Sequence, residues 1–240
     1  LTKFLLLNQD VLALATKQSF LSGKDEWLSL RINGQENDPM NAQHFLRDYA
    51  SMPPLEQHAL NLAEGKILDI GAAAGSHSLW LQKQGFDCTA LEISSEFCDL
   101  MKLRDVENII HSDIMEFNRG KFDTIYLLMN GMGMGQTQQG TLNLLKHMKS
   151  LLSQEGVIIA DTSDIAYWFE DEKGPNERTF DSDYYGLVQF QVEWKGKKKE
   201  FPWVYPAPDV LEELSHSAGL QLNIMAESDH WEYLLKLEHA

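Results

Sequence analysis

Between Gly65 and Asp161, short apolar runs alternate with stretches in which apolar residues recur every three or four positions. A strand period alternating with a helix period is the pattern of βαβ units on a parallel sheet. Lys66–Ile70 reads as the first strand, bounded by Gly65 and Gly71, and a loop of small residues runs from Gly71 to Gly75. Ser76 is placed to cap a helix through Leu79, Trp80 and Leu81 that stops at Gly85. The second strand, Phe86–Glu92, ends in a carboxylate, and Ser94 or Ser95 opens a helix to about Arg104. Val106–Ile110 is a short third strand, followed by His111, Ser112 and Asp113. Phe122–Met129 is the fourth, running into Asn130 and a loop rich in glycine and methionine up to Gly135. Leu142, Leu144, Leu145, Met148, Leu151 and Leu152 form a helical stripe before the fifth strand, Gly156–Asp161.

The flanks follow other rhythms. Residues 1–64 read as mostly helical: an amphipathic segment with Leu5, Leu6, Leu12, Leu14 and Ala15, then a turn at Asn37-Asp38-Pro39. A segment with Phe45, Leu46 and Tyr49 follows, and then a helix opening at Pro53-Pro54. After Asp161 no long helical pattern appears up to about residue 206. Leu187–Trp194 and Phe201–Tyr205 read as an antiparallel hairpin turning at Gly196-Lys197. Asp209–Gly219 is a helix with a glycine stop, and Leu220–Met225 and Trp231–Leu237 are two closing strands. The expectation is a doubly wound, Rossmann-like α/β fold with a seven-stranded, mostly parallel sheet and an antiparallel final strand. Its parts are an N-terminal helical cap (1–64), an α/β core (65–161), a β-hairpin insertion or lid (162–206) and a C-terminal helix and strands (207–240).

At 240 residues the chain can bury a full core. Its net charge of −16 opposes binding along a nucleic-acid backbone, which needs a basic surface. Phe4–Leu7 is broken by Asn8, Gln9 and Asp10, too soon for a signal h-region or a membrane span. Cys88 and Cys98 have no ligand-type spacing and read as buried, reduced thiols of a cytoplasmic protein. The histidines show no H-x-H or H-E-x-x-H spacing, so no metal site is expected.

A strand, a tight loop and a helix N-terminus make a nucleotide-sized site with backbone amides facing the ligand. The dinucleotide fingerprint G-x-G-x-x-G would need glycine at 73 and 76, where Ala73 and Ser76 stand. The phosphate loop G-x-x-x-x-G-K-[ST] is absent as well. What remains is D-x-G-x-x-x-G from Asp69 to Gly75. Asp69 is unwelcome beside a pyrophosphate but suits a cationic or amine-bearing ligand. Glu92, ending the next strand, can take both hydroxyls of a ribose through charge-assisted bonds.

Four ordered stretches resemble the motifs of the class I S-adenosylmethionine-dependent methyltransferases: Ile67–Gly75, Thr89–Ser94, His111–Ile114 and Phe122–Ile125. Leu151–Ile159 is similar to that family's helix and fifth strand, and Leu211–Leu220 to its late helix ending in Ala-Gly. The resemblance implies S-adenosyl-L-methionine as cofactor and S-adenosyl-L-homocysteine as product. It implies that Asp69 sits near the methionine amine, that Gly71 and Gly75 let backbone approach the ligand, and that Glu92 holds the ribose. Asp113 would meet the adenine amine while Ile93 and Ile114 flank the ring, and Met129 and Asn130 would lie beside the methionine tail and the transferable methyl. Arg47 or Tyr49 would contact the methionine carboxylate. Ala73 departs from the glycine usual at its position.

Plainer readings stand beside these. Asp69 could cap its own loop, Glu92 could be a surface acid, Asp113 could form an Asx turn and Asn130 a turn. His77, Trp168, Trp203 and Tyr205 are candidates for the substrate side; Tyr167, Phe169, Tyr184 and Tyr185 could join them or simply pack the hairpin. Asp161 and Asp164 could belong to a metal-assisted methyl transfer, and Lys195, Lys197, Lys198 and Lys199 read as a solvated turn. No catalytic residue is assigned, although Tyr49, His77 and Tyr205 could serve as bases. The expected function is methyl transfer to a small-molecule acceptor by in-line displacement, without a membrane or nucleic-acid partner. The alternatives are a methyltransferase of protein or RNA, a non-catalytic binding module, and an NAD-dependent oxidoreductase, which Ala73 and Ser76 disfavour.

Overall fold

The computed structural model describes residues 10–169 and 184–240. In chain order the elements begin with α1 (Val11–Ser22), β1 (Trp27–Ile32), β2 (Gln35–Asn41), 3-10 turns at Ala42–Leu46 and Tyr49–Ser51, and α2 (Pro54–Leu60). Then come β3 (Lys66–Ile70), α3 (Ser76–Lys83), β4 (Asp87–Glu92), α4 (Ser95–Leu103), β5 (Ile109–His111) and a 3-10 turn at Ile114–Glu116. They continue with β6 (Phe122–Leu127), a 3-10 turn at Gly131–Gly135, α5 (Gln138–Leu151), β7 (Leu152–Ser163) and a 3-10 turn at Ala166–Phe169. The last are β8 (Leu187–Trp194), β9 (Lys197–Val204), α6 (Pro208–Ala218), β10 (Leu220–Glu227) and β11 (Glu232–His239).

A seven-stranded sheet has the order β10-β11-β7-β6-β3-β4-β5. The pairs β3-β4, β4-β5 and β6-β7 are parallel, while β11 runs antiparallel to both β7 and β10. Ile67, Leu68, Ile125, Tyr126, Leu127, Ile158 and Ile159 are all but inaccessible, as residues of strands covered on both faces must be. The expected Rossmann-like fold is therefore present, down to the antiparallel final strand.

The chain divides into two compact units, Leu1–Asn118 with Gln189–Phe201, and Arg119–Val188 with Pro202–Ala240. In the first, Ala72, Ala90, Cys98, Met101 and Val106 pack together beneath the first loop. Ala13, Ala74, Phe97 and Leu100 form a second buried group there. In the second unit Tyr184, Val204, Ala207 and Val210 make a buried group.

The reading of residues 1–64 as mostly helical is corrected. Before Gly65, only α1 and α2 are α-helical among the described residues. β1 and β2 form a hairpin that joins β8 and β9 in a second sheet of order β2-β1-β8-β9. Asn33 and Gly34 turn it with φ of 51° and 79°, the pairing a tight hairpin turn demands. The expected turn at Asn37-Asp38-Pro39 is instead part of β2. β2 is an edge strand, where proline's missing N–H costs little. Phe45, Leu46 and Tyr49 lie in or beside 3-10 turns, and Leu5 and Leu6 fall outside the described residues. In the segment expected as a lid the hairpin is β8-β9, turned by Lys195 and Gly196, both at positive φ; residues 170–183 lie outside the described part.

Candidate functional site

The loop after β3 is built on left-handed residues: Gly71, Ala73 and Gly75 have φ of 68°, 48° and 78°. The amides of Gly71, Ala72, Ala73 and Gly75 are not bare, contrary to expectation. Gly71 and Ala72 both donate to the Leu91 carbonyl, Gly75 donates to Ala72, and Ala73 donates to Oε2 of Glu92 at 2.8 Å. The loop is thus pinned to the end of β4. Gly75 is required for packing, since a Cβ there would lie 2.7 Å from Cγ2 of Val106, a contact with the protein interior. It is Gly75, not Ser76, that caps α3, and the Ser76 hydroxyl donates to the Phe45 carbonyl.

Glu92 is 6% exposed, which removes the surface-acid reading. Its Oε1 accepts the Ser94 amide at 2.7 Å. Burial pushes its carboxyl up to about 7, against the pull of the Ser94 and Ala73 amides. Asp69 is also buried, and desolvation raises it despite the charge of His77 and the Ser78 hydroxyl, which donates to Oδ2 at 2.6 Å. Asp113 is half-buried and caps the turn that follows it, accepting the Met115 amide at 2.9 Å. The Asx-turn reading of Asp113 is therefore correct as far as the protein's own contacts go. Ile93 is half-buried and Ile114 buried beside their respective acids.

Behind the loop stands a polar cluster. Arg47 Nη2 contacts both carboxylate oxygens of Glu56, the Oε2 contact at 2.5 Å, and Nη1 donates to the His44 carbonyl. On the far side Glu56 Oε2 meets His77 Nε2 at 2.9 Å. Burial favours the neutral form of Glu56, but hydrogen bonding to His77 and the charges of His77 and Arg47 outweigh it and hold the carboxyl low. The Nε of Arg47 is buried with no hydrogen-bond partner among the described residues. Tyr49 is engaged elsewhere: its ring stacks on Trp80 at 4.7 Å and its hydroxyl accepts from Asn61 at 2.8 Å.

Two further contributors escaped the sequence reading. Glu56 passed as an ordinary first-turn acid of α2, the usual place for one. Arg104, at the end of α4, donates to the carbonyls of Ala74 at 2.5 Å and Leu46 at 3.2 Å, and to the Ser76 hydroxyl at 3.2 Å. It ties the loop to the 3-10 turn at Ala42–Leu46. Burial lowers it to about 10. The one available signal was a cation at a helix C-terminus, which is too common to single out.

In the second unit, Met129 and Asn130 follow β6 with consecutive positive φ of 61° and 57°. The Asn130 amide donates to Asp161 Oδ1 at 2.9 Å, while its side-chain Oδ1 is buried without a partner among the described residues. Asp164 accepts from the Tyr185 hydroxyl at 2.7 Å and from the Ala166 amide at 3.0 Å. The indole of Trp203 presses on Gly133, where a Cβ would come within 1.9 Å of Nε1. Trp168 is 40% exposed and meets Tyr205 edge-on at 6.1 Å. The Tyr184 hydroxyl bridges the Tyr205 carbonyl and the Ala207 amide.

Comparisons with known proteins agree on one family. The profile of a methyltransferase-domain family matches residues 42–223. The crystal structure of a SAM-dependent methyltransferase from Bacteroides fragilis, in complex with S-adenosyl-L-homocysteine, is 32% identical. It superposes with a TM-score of 0.88 over 97% of this chain and 95% of that one. The CcbJ methyltransferase of Streptomyces caelestis shares the fold, with a TM-score of 0.60 at 15% identity over 81% of this chain and 93% of that one. Among curated relatives, the putative methyltransferase YqeM of Bacillus subtilis is 24% identical over 104 residues, 41% of this chain and 42% of its own length.

Proposed function

Because the chain belongs to the methyltransferase-domain family and uses S-adenosylmethionine as methyl donor, we propose that it methylates a small-molecule acceptor. The observation that carries the donor site is Glu92, buried at the end of β4, with Oε2 accepting the loop amide of Ala73 and Oε1 the amide of Ser94 at the start of α4. Each oxygen keeps acceptor capacity beyond that one bond, which suits the two hydroxyls of a ribose. Asp69 takes the methionine amine, and Asp113 with Ile93 and Ile114 takes the adenine. Between Arg47 and Tyr49, the unpartnered Nε–H favours Arg47 for the methionine carboxylate. Met129 and Asn130 serve the methionine tail, with the free Oδ1 of Asn130 as acceptor. These residues fit the donor group: acids for its ammonium and hydroxyls, a guanidinium N–H for its carboxylate.

S-adenosylmethionine, when bound, supplies an already activated methyl, so the protein's own contribution is alignment and exclusion of water. Positioning of that kind is worth effective molarities on the order of 10⁵ M or more. Trp168, Trp203 and Tyr205 contact the acceptor. Trp168 and Tyr205 meet edge-on and Trp203 covers Gly133, and such rings with polar edges suit a compact organic acceptor. The net charge of −16 argues against an RNA acceptor. His77 is committed to Glu56 and Tyr49 to Asn61, so neither is assigned as base.

Calorimetric titration with S-adenosylhomocysteine, and with NAD as control, tests the donor site; binding of the first alone is expected. Incubation with S-adenosylmethionine and separate pools of small amines and alcohols, proteins and RNA, read by mass spectrometry, tests the acceptor class. Methyl gain confined to protein or RNA would overturn the small-molecule reading.

A further inference from the structure

The buried Arg47–Glu56–His77 cluster has a use that its charges alone do not explain. The three side chains are 8–9% exposed, and they link the segment before α2 to the second residue of α3, directly after the loop. Burying an ion pair brings little net stability, because desolvation offsets the attraction. An unsatisfied buried guanidinium N–H is a further cost, and native folds rarely retain one without a reason. Here both Glu56 oxygens meet the one nitrogen Nη2 of Arg47 and Nη1 goes to the His44 carbonyl, which leaves Nε–H without a partner among the described residues. The same carboxylate holds His77 in place, and the next residue, Ser78, donates its hydroxyl to Asp69 Oδ2 at 2.6 Å. One acid therefore fixes a donor suited to a carboxylate and the neighbour of an acceptor suited to an ammonium.

Resting on the donor site argued above, we propose that Glu56 is a positioning residue for the amino-acid end of S-adenosylmethionine. Through Arg47 it presents Nε–H to the ligand's carboxylate, and through His77 it holds the turn of α3 whose Ser78 contacts Asp69, which receives the amine. Glu56 itself touches neither. A guanidinium held at Nη2 by a carboxylate and at Nη1 by a backbone carbonyl cannot rotate away, so its Nε–H is preorganised. The consequence is selectivity. Ligands that carry the amino-acid end depend on Glu56, and ligands that stop at the thioether do not.

Calorimetric titrations of the full chain with S-adenosylhomocysteine and with 5′-methylthioadenosine, which lacks the amino-acid end, distinguish the outcomes. Glu56→Gln is expected to weaken S-adenosylhomocysteine about tenfold or more, the scale of a charge-assisted hydrogen bond, and to leave methylthioadenosine unchanged. Arg47→Lys keeps the charge but lacks Nε–H, and the same selective loss is expected; it carries the test if Glu56→Gln does not fold. Equal losses for both ligands, or no loss for either, would overturn the proposal. Wild-type protein that binds neither ligand overturns the donor site itself, and this inference with it.

Discussion

Glu92 accepts the backbone amide of Ala73 at 2.8 Å, so the acid ending one strand holds the loop that leaves its neighbour. Removing that acid should do two things together. Glu92→Ala deletes the loop's anchor and the proposed ribose contacts, charge-assisted bonds worth roughly 1.5–3 kcal/mol each. Titration calorimetry should show S-adenosylhomocysteine binding weakened by two orders of magnitude or more, and thermal unfolding a lowered Tm. Unchanged binding would remove Glu92 from the donor site.

Ligand-free stability should fall as pH rises from about 4.5 to about 7 and level off above that. Glu92 keeps its proton to about 7 in the folded chain, against an ordinary 4.5. Between those values the folded state binds more protons than the unfolded one, which is the condition for stability to drop with rising pH. The drop attributable to Glu92 is at most about 3 kcal/mol. Asp69, raised by burial as well, acts in the same direction. Urea unfolding at pH 5, 6, 7 and 8 measures it.

The same proton links to the ligand with the opposite sense. Ribose hydroxyls donate to the ionised carboxylate, so S-adenosylhomocysteine should bind about tenfold more tightly at pH 8 than at pH 6, with proton release on binding. Titrations in buffers of different ionisation enthalpy would register the released proton.

Ala73 sits at φ 48°, in the left-handed region that a Cβ disfavours. Ala73→Gly should raise stability by about 1 kcal/mol in chemical denaturation without loss of the Glu92 contact.

Gly133→Ala should be costly for the opposite reason, since its Cβ would overlap the Trp203 indole. The expected cost is about 1–3 kcal/mol, with altered tryptophan fluorescence as Trp203 shifts. Trp203→Ala should lower turnover of the acceptor and leave S-adenosylhomocysteine affinity unchanged, which titration and steady-state kinetics would separate.

What the sequence determined by itself was the βαβ rhythm from Lys66 to Ser163, because each strand and helix there carries its own period and its own stop. Asp69, Gly71, Gly75 and Glu92 were legible for the same reason, as residues at the ends of those runs. The hairpin of β1 and β2 was not legible. Its second strand is polar and carries Pro39, and it is held by β1, whose Leu30 in turn pairs with Val192 far along the chain. Local periodicity carries no record of such a partner. Tertiary structure alone decided that the amides of Gly71, Ala72 and Ala73 are spent on β4, that Arg104 ties the loop to the turn at Ala42–Leu46, and that Glu56 stands between Arg47 and His77. These are contacts between segments distant in sequence, made where burial leaves a charged group no solvent and only another segment to satisfy it.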